Sequence, residues 1–224
     1  MTDSLFYLNW YRDLKGYRVE PREVSQVRRS RLLAGDQNYI VREGGSLESY
    51  KPFDIVAIYR RLAEVKKTPQ AAIKFCCDFG FLIGPKARKM SLAEFFSYRD
   101  SMRRLVPLYD HGLWYRIEAE LLTAAGQGDG RSPFGGAGRL GVLFTFGEGT
   151  RPSLKFRPSS LYGAMLCQLL DDAAGGTPYR RCDLPSCGQY FKYGPDTDHR
   201  NTARYCCAKH QQAHAYLSRK EKGK

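Results

Sequence analysis

Between residues 182 and 210 the chain reads CDLPSCGQYFKYGPDTDHRNTARYCCAKH. Cys182 and Cys187 bracket a short turn that contains Pro185 and runs directly into Gly188. Further along, Cys206 and His210 stand four residues apart. Thiolate sulfur and imidazole nitrogen are the ligands that a structural Zn²⁺ takes in a closed tetrahedron. Residues four apart lie on one face of a helix, so Cys206 and His210 can both reach one ion. A thiolate in a first helical turn also meets the positive end of the helix dipole. Gly188 permits a positive φ and lets backbone N–H groups approach sulfur closely. The expected ligand set is therefore Cys182, Cys187, Cys206 and His210 around one structural Zn²⁺. Three thiolates and a neutral imidazole leave the site with a net charge of about −1, which Arg181, Arg204 and Lys209 could offset. Two alternatives stay open. Cys207 could replace Cys206, although Cys206 is the one that directly follows Tyr205. His214 could replace His210, at the cost of a longer gap within the helix.

Ligands need elements to hold them. Gln189 to Tyr193 and Thr202 to Tyr205 are short aromatic stretches flanking the turn-forming Gly194-Pro195-Asp196. The layout is a knuckle, a hairpin and a helix closing on one ion. It resembles the treble-clef finger of the CGNR zinc-finger proteins and their relatives, whose pattern is C-x4-C-G, then F, then R-x-Y-C-x3-C. Cys182, Cys187-Gly188, Phe191, Arg204-Tyr205-Cys206 and the basic tail to Arg219 match it. Two features differ: His210 stands in the place of the last Cys, and His210-Gln211-Gln212-Ala213 replaces the Cys-Gly-Asn-Arg tetrapeptide. The resemblance implies a regulator with a helical N-terminal region and a finger that binds DNA. The run from Phe53-Asp54 to Gly80-Phe81-Leu82 is loosely similar to that helical region.

The whole chain has 224 residues, 42% of them hydrophobic and 26% charged, which suits one larger globular domain with a small appended one. No apolar run reaches the roughly 20 residues of a membrane span, and Met1 to Lys15 does not have the form of a secretory signal. The expected setting is the cytoplasm, with no membrane partner, where thiols stay reduced and metal ligation is favoured over disulfides. Cys76, Cys77 and Cys167 sit in apolar helical contexts and read as small buried hydrophobes. The net charge is +13 and the pI about 9.5, an excess that favours an anionic partner, nucleic acid first. Residues 179 to 224 hold ten basic and four acidic residues, a net +6, so nearly half of the excess lies in the last fifth of the chain.

The expected fold class is α+β and mainly helical. Residues 1 to 50 form an N-terminal segment with little periodicity. Leu5 to Leu8 and Trp10-Tyr11 could be a strand or an anchor, Tyr39 to Val41 a short strand, and Arg22, Arg28, Arg29 and Arg31 a solvated basic face. Residues 51 to 176 read as a helical domain. Its first helix follows Pro52 with Phe53, Val56, Ile58, Leu62 and Val65 at helical intervals. A second is capped by Thr68 before Pro69 and ends at Gly80. A third is capped by Ser91 and ends or kinks near Pro107, and a fourth runs from about Leu108 to Ala125. The Gly-rich stretch 126 to 138 reads as a flexible connection, having no Gly-Lys-Ser/Thr ending. Strict alternation of Leu140, Val142, Phe144 and Phe146 predicts a strand, paired with Ser153 to Arg157 in a hairpin near 139 to 157. Pro158-Ser159-Ser160 opens another helix, closed by Gly175-Gly176. Residues 177 to 224 form the finger, with a basic helix beginning near Cys206.

That helix could enter a DNA major groove. Arg200, Arg204, Lys209, Arg219 and Lys220 would contact phosphate, which positions a protein without reading sequence. Tyr190, Phe191 and Tyr193 could stack on single-stranded bases, although Phe191 reads better as core of a module this small. The leading expectation is a regulator that binds double-stranded DNA, with the helical domain sensing a signal or forming a homodimer. A protein-interaction module with purely structural zinc is the first alternative. A nuclease is the second: His199 and Asn201 lie between the ligand pairs, faintly like the His and Asn of HNH nucleases, with only Asp196 and Asp198 nearby to hold a second metal.

Overall fold

The computed structural model describes residues 8–21, 38–84, 87–113, 115–117, 140–145, 153–176, 178–194, 197 and 199–222. Helices and small antiparallel sheets make it an α+β chain. It divides into two compact units, Met1–Cys167 and Gln168–Lys224.

The first unit opens with strands. β1 (Trp10–Asp13) pairs antiparallel with β4 (Leu47–Tyr50), Trp10 opposite Tyr50. β2 (Tyr17–Pro21) and β3 (Asn38–Arg42) form a sheet with β5 (Lys89–Ser91), β3 in the middle. The strand expected at Tyr39 to Val41 is thus the centre of a sheet. Its Ile40 faces inward and is fully buried, the period-2 outcome for a half-buried strand. Leu5 to Tyr7 and Arg22 to Arg31 lie outside the described residues. Asp13 is also buried. Its carboxylate accepts from the backbone N–H groups of Lys15, Gly44 and Gly45 at 2.9 to 3.0 Å, which is how a buried charge is tolerated.

The first expected helix is shorter than its apolar period suggested. Pro52–Asp54 is a single 3₁₀ turn, and α1 runs only over Ile58–Glu64. Ala57, at φ 50°, breaks the path between them. α2 (Pro69–Phe79) begins where expected: Ala71 N–H donates to Thr68 Oγ1 at 3.3 Å. It stops at Gly80, whose φ of 78° takes the chain away from the helix. α3 (Leu92–Asp110) starts with Glu94 N–H donating to Ser91 Oγ at 3.1 Å. It continues through Pro107, where an end or kink was expected, so the further helix expected from about Leu108 does not start there; of its range, residues 115–117 are helical, and 114 and 118–125 lie outside the described residues. Pro107 lies in the last turn, so it removes a single N–H. The helix then closes when His111 N–H donates to the carbonyl of Pro107 and Gly112 turns at φ 65°. The Gly-rich stretch 126 to 138 lies outside the described residues.

β6 (Leu140–Thr145) and β7 (Ser153–Pro158) form the expected hairpin, Val142 opposite Phe156 and Phe144 opposite Leu154. α4 (Leu161–Ala174) comes next, with Gly163 N–H donating to Ser160 Oγ at 2.9 Å. The first unit's core gathers Trp10, Ile40, Tyr59, Phe95, Met102 and Tyr162, all nearly inaccessible to solvent. Trp10 Nε1 donates to the carbonyl of Phe81, and the rings of Tyr98 and Tyr162 lie 4.6 Å apart. Among the described residues no helix is long and apolar enough to cross a membrane.

Candidate metal centre

The second unit is small. β8 (Tyr179–Arg181) pairs antiparallel with β9 (Tyr190–Lys192), Arg180 opposite Phe191, and α5 (Ala208–Lys222) ends the described chain. Its buried centre is Cys182, Leu184 and Phe191, with Cys187, Tyr193, Ala203, Tyr205, Cys206 and Ala213 packed against them. Phe191 is therefore core, as its place in so small a module suggested.

The knuckle grows directly out of the hairpin. Cys182 comes right after the last residue of β8, and its N–H donates to the carbonyl of Gln189, extending the ladder by one bond. The chain then reverses, Cys187 N–H reaching the carbonyl of Leu184 at 2.9 Å. Gly188 completes the reversal at φ 61°, in the left-handed region that favours glycine. On the other side, Asp183 N–H donates to the carbonyl of Arg204 at 3.0 Å, which stitches the knuckle to the segment entering α5.

This stitching brings four ligand atoms together. The sulfurs of Cys182, Cys187 and Cys206 and one nitrogen of His210 all lie within 4.8 Å of one another, and the group could hold a metal ion. Cys187 Sγ and Cys206 Sγ are 3.7 Å apart, Cys182 Sγ and His210 Nδ1 3.7 Å, and Cys206 Sγ and His210 Nδ1 3.0 Å. One detail differs from expectation. α5 begins at Ala208, so Cys206 lies just ahead of it rather than within its first turn. His210 alone is carried by the helix, and Cys206 is aimed by the turn that precedes it. The competing ligands sit elsewhere. Cys207 is exposed, while the ring of His214 lies 5.4 Å from that of Tyr205, with Nδ1 3.5 Å from Ser218 Oγ.

The electrostatics are those of a crowded thiol group. Burial raises the Cys182 thiol, but the backbone N–H groups of Cys206 and Leu184 and the neighbouring thiols outweigh it, so its net shift is downward. Cys206 is pushed up to about 12 by burial and by its contacts with Cys187 and Cys182. One thiolate can thus be accommodated by hydrogen bonds, and further ones need a cation.

The basic side chains surround this centre unevenly. Arg200, Arg204, Lys209, Arg219 and Lys220 are all exposed. Arg204 Nε is held by Asp183 Oδ2 at 2.6 Å, an ion pair that local spacing does not reveal. The guanidinium of Arg180 lies 4.5 Å from the Tyr193 ring centre and donates to the carbonyl of Ala203. Asp172 of α4 is another member missed from sequence. Buried, it accepts from the Tyr179 hydroxyl at 2.5 Å and forms an ion pair with Lys192 Nζ at 3.4 Å, bracing the hairpin. The ring of His199 stands edge-on to Phe191 at 4.8 Å, whereas Asp196 and Asp198 lie outside the described residues. Compared with family models, with curated proteins and with solved structures, the chain finds no match.

Proposed function

We propose that this chain is a zinc-finger protein that binds double-stranded DNA, acting as a transcriptional regulator, with the second unit as a treble-clef finger. In this reading Cys182, Cys187, Cys206 and His210 hold one structural Zn²⁺. With Zn–S bonds of about 2.3 Å and Zn–N bonds of about 2.0 Å, a tetrahedron has S–S edges of roughly 3.8 Å and S–N edges of roughly 3.5 Å. The S–S separation of 3.7 Å lies close to its edge and the S–N separations of 3.7 and 3.0 Å fall on either side of theirs, near enough for small side-chain adjustments to close the site. All four protein ligands are accounted for, which suits a structural ion rather than a catalytic one with an open position. The first unit, with its larger core, would sense a signal or form the homodimer.

The observation that carries the reading is this four-ligand convergence at the root of α5, a helix whose exposed side chains include Lys209, Arg219 and Lys220. Phosphate would meet Arg200, Lys209, Arg219 and Lys220 first. Arg204 would join through its Nη groups or by leaving Asp183, since an exposed pair of this kind is weak enough to exchange. The test combines elemental analysis with fluorescence anisotropy on duplex DNA. One zinc per chain and an affinity that falls steeply with salt are expected. No duplex affinity at low salt would overturn the reading.

A second reading has an observation of its own. α5 also exposes Tyr216 and Leu217, with 67% and 43% of their surface accessible, beside its basic side chains. A helix with apolar and cationic exposed groups suits an acidic protein partner, and a single such protein captured after nuclease treatment would favour it over DNA.

A further inference from the structure

The loop before α5 and the helix's first turn enclose an open cleft of about 620 Å³ on the second unit. Its walls include Arg200, Thr202, Arg204, Tyr205, Ala208 and Gln211. The size falls within the range of small-molecule sites, and it far exceeds what one inorganic anion needs. The lining combines three chemistries. Arg200 and Arg204 offer guanidinium groups; Arg200 is exposed and has no ion-pair partner among the described residues, while Arg204 is steadied by Asp183. Thr202 and Gln211 offer a hydroxyl and an amide, which can donate and accept. Tyr205 and Ala208 offer apolar surface, and Tyr205 is fixed by packing against the Cys182 cluster and by His214. A nucleotide presents a phosphate, a hydrogen-bonding base edge and a ring face, which these three chemistries match, and fork-shaped guanidinium groups suit phosphate oxygens.

We propose that this cleft is a nucleotide subsite, taking one phosphorylated nucleotide unit with its phosphate on Arg200 and Arg204. The sugar or base lies against Tyr205, Ala208 and Gln211. The choice of ligand rests on the nucleic-acid reading above, but the location does not: the concave loop–helix junction, rather than the outer face of α5, grips the unit. That unit is either the end or an extruded residue of a nucleic acid, or a free nucleotide.

The test uses full-length, zinc-loaded protein. Calorimetry compares deoxyadenosine 5′-monophosphate with deoxyadenosine and with inorganic phosphate, and anisotropy tracks a short single strand and a duplex. The variants are Arg200→Ala, Ala208→Trp to fill the cleft, and, as a charge-reversal control, the exposed pair Lys66→Glu with Lys67→Glu on the first unit. The nucleotide should bind more tightly than either fragment. Arg200→Ala and Ala208→Trp should each weaken it by about tenfold or more, and the first-unit pair should leave it unchanged. If Ala208→Trp loses zinc, the exposed Arg200→Ala decides. The inference is overturned if inorganic phosphate binds as tightly as the nucleotide, or if Arg200→Ala leaves the nucleotide affinity unchanged. It also falls if oligonucleotides bind while the mononucleotide does not, an outcome that leaves the nucleic-acid reading standing. Mononucleotide binding that is lost in the cleft variants, in a protein with no oligonucleotide affinity at low salt, supports the subsite and removes that reading instead.

Discussion

Three thiols and an imidazole packed within 4.8 Å of one another can shed their protons together only if a cation takes up the charge. The opposed shifts of Cys182, downward, and Cys206, up to about 12, express that competition. Zinc must displace these protons, so its apparent affinity weakens as the pH falls. We expect a loss of about tenfold or more per pH unit between pH 8 and 6, read by competition with a chromophoric chelator. Cys206→Ser should abolish stoichiometric zinc, whereas Cys207→Ser and His214→Ala should retain it, because those two side chains point to other surroundings. Elemental analysis of the three purified variants decides, and retention of one zinc by Cys206→Ser would reassign the ligand.

At the scale of elements, the sharpest constraint is the end of α2. A Cβ on Gly80 would stand 2.2 Å from the carbonyl oxygen of Tyr11, at a φ of 78° that side chains rarely adopt. The Tyr11 carbonyl is backbone and cannot swing away, and the next neighbour, Trp10 Nε1 at 3.2 Å, is held by its bond to the carbonyl of Phe81. Gly80→Ala should cost about 2 kcal/mol or more in urea denaturation, while Gly84→Ala, whose Cβ meets nothing within 4 Å, should stay within about 1 kcal/mol of the parent. The cap of α3 is a milder case. Ser91→Ala removes one bond to Glu94 N–H and should cost about 1 kcal/mol. In the second unit, Phe191→Ala would empty a third of a three-residue buried centre, and loss of zinc retention is expected along with stability.

For the molecule as a whole, the two units draw on different sources of stability. The first buries an extensive set of apolar side chains, Trp10, Phe95 and Tyr162 among them. The second has Cys182, Leu184 and Phe191 at its centre and needs a further staple, the role proposed for the ion. A strong chelator should therefore melt the second unit and spare the first. Calorimetry would show one transition lost and one kept; two unchanged transitions would refute the staple. The charge is also distributed unevenly, with a net +6 over residues 179 to 224 of an overall +13. If the proposed DNA contact is made through about five phosphates, affinity should fall by roughly 500-fold, nearly three orders of magnitude, between 50 and 200 mM salt.

The sequence by itself determined the features that depend on local spacing and local chemistry. Thr68 and Ser91 mark helix starts because a hydroxyl one residue outside a helix satisfies its free N–H groups. Alternation from Leu140 marks a strand because strand side chains have period two. The four ligand types at their spacing marked a group that could hold a metal ion for the same reason, since short-range geometry limits what they can reach. Only the tertiary structure decided the features that depend on residues far apart in the chain. The strands before Tyr50 became legible only when β3 met β5 and β1 met β4, pairings whose partners lie tens of residues away. That Cys206 and His210, and not Cys207 and His214, stand with Cys182 and Cys187 in the group that could hold a metal is a matter of tertiary placement, since the knuckle is joined to the chain entering α5 by a backbone bond from Asp183 to Arg204. The ion pair of Arg204 and the bracing by Asp172 likewise join groups that no short window of sequence contains.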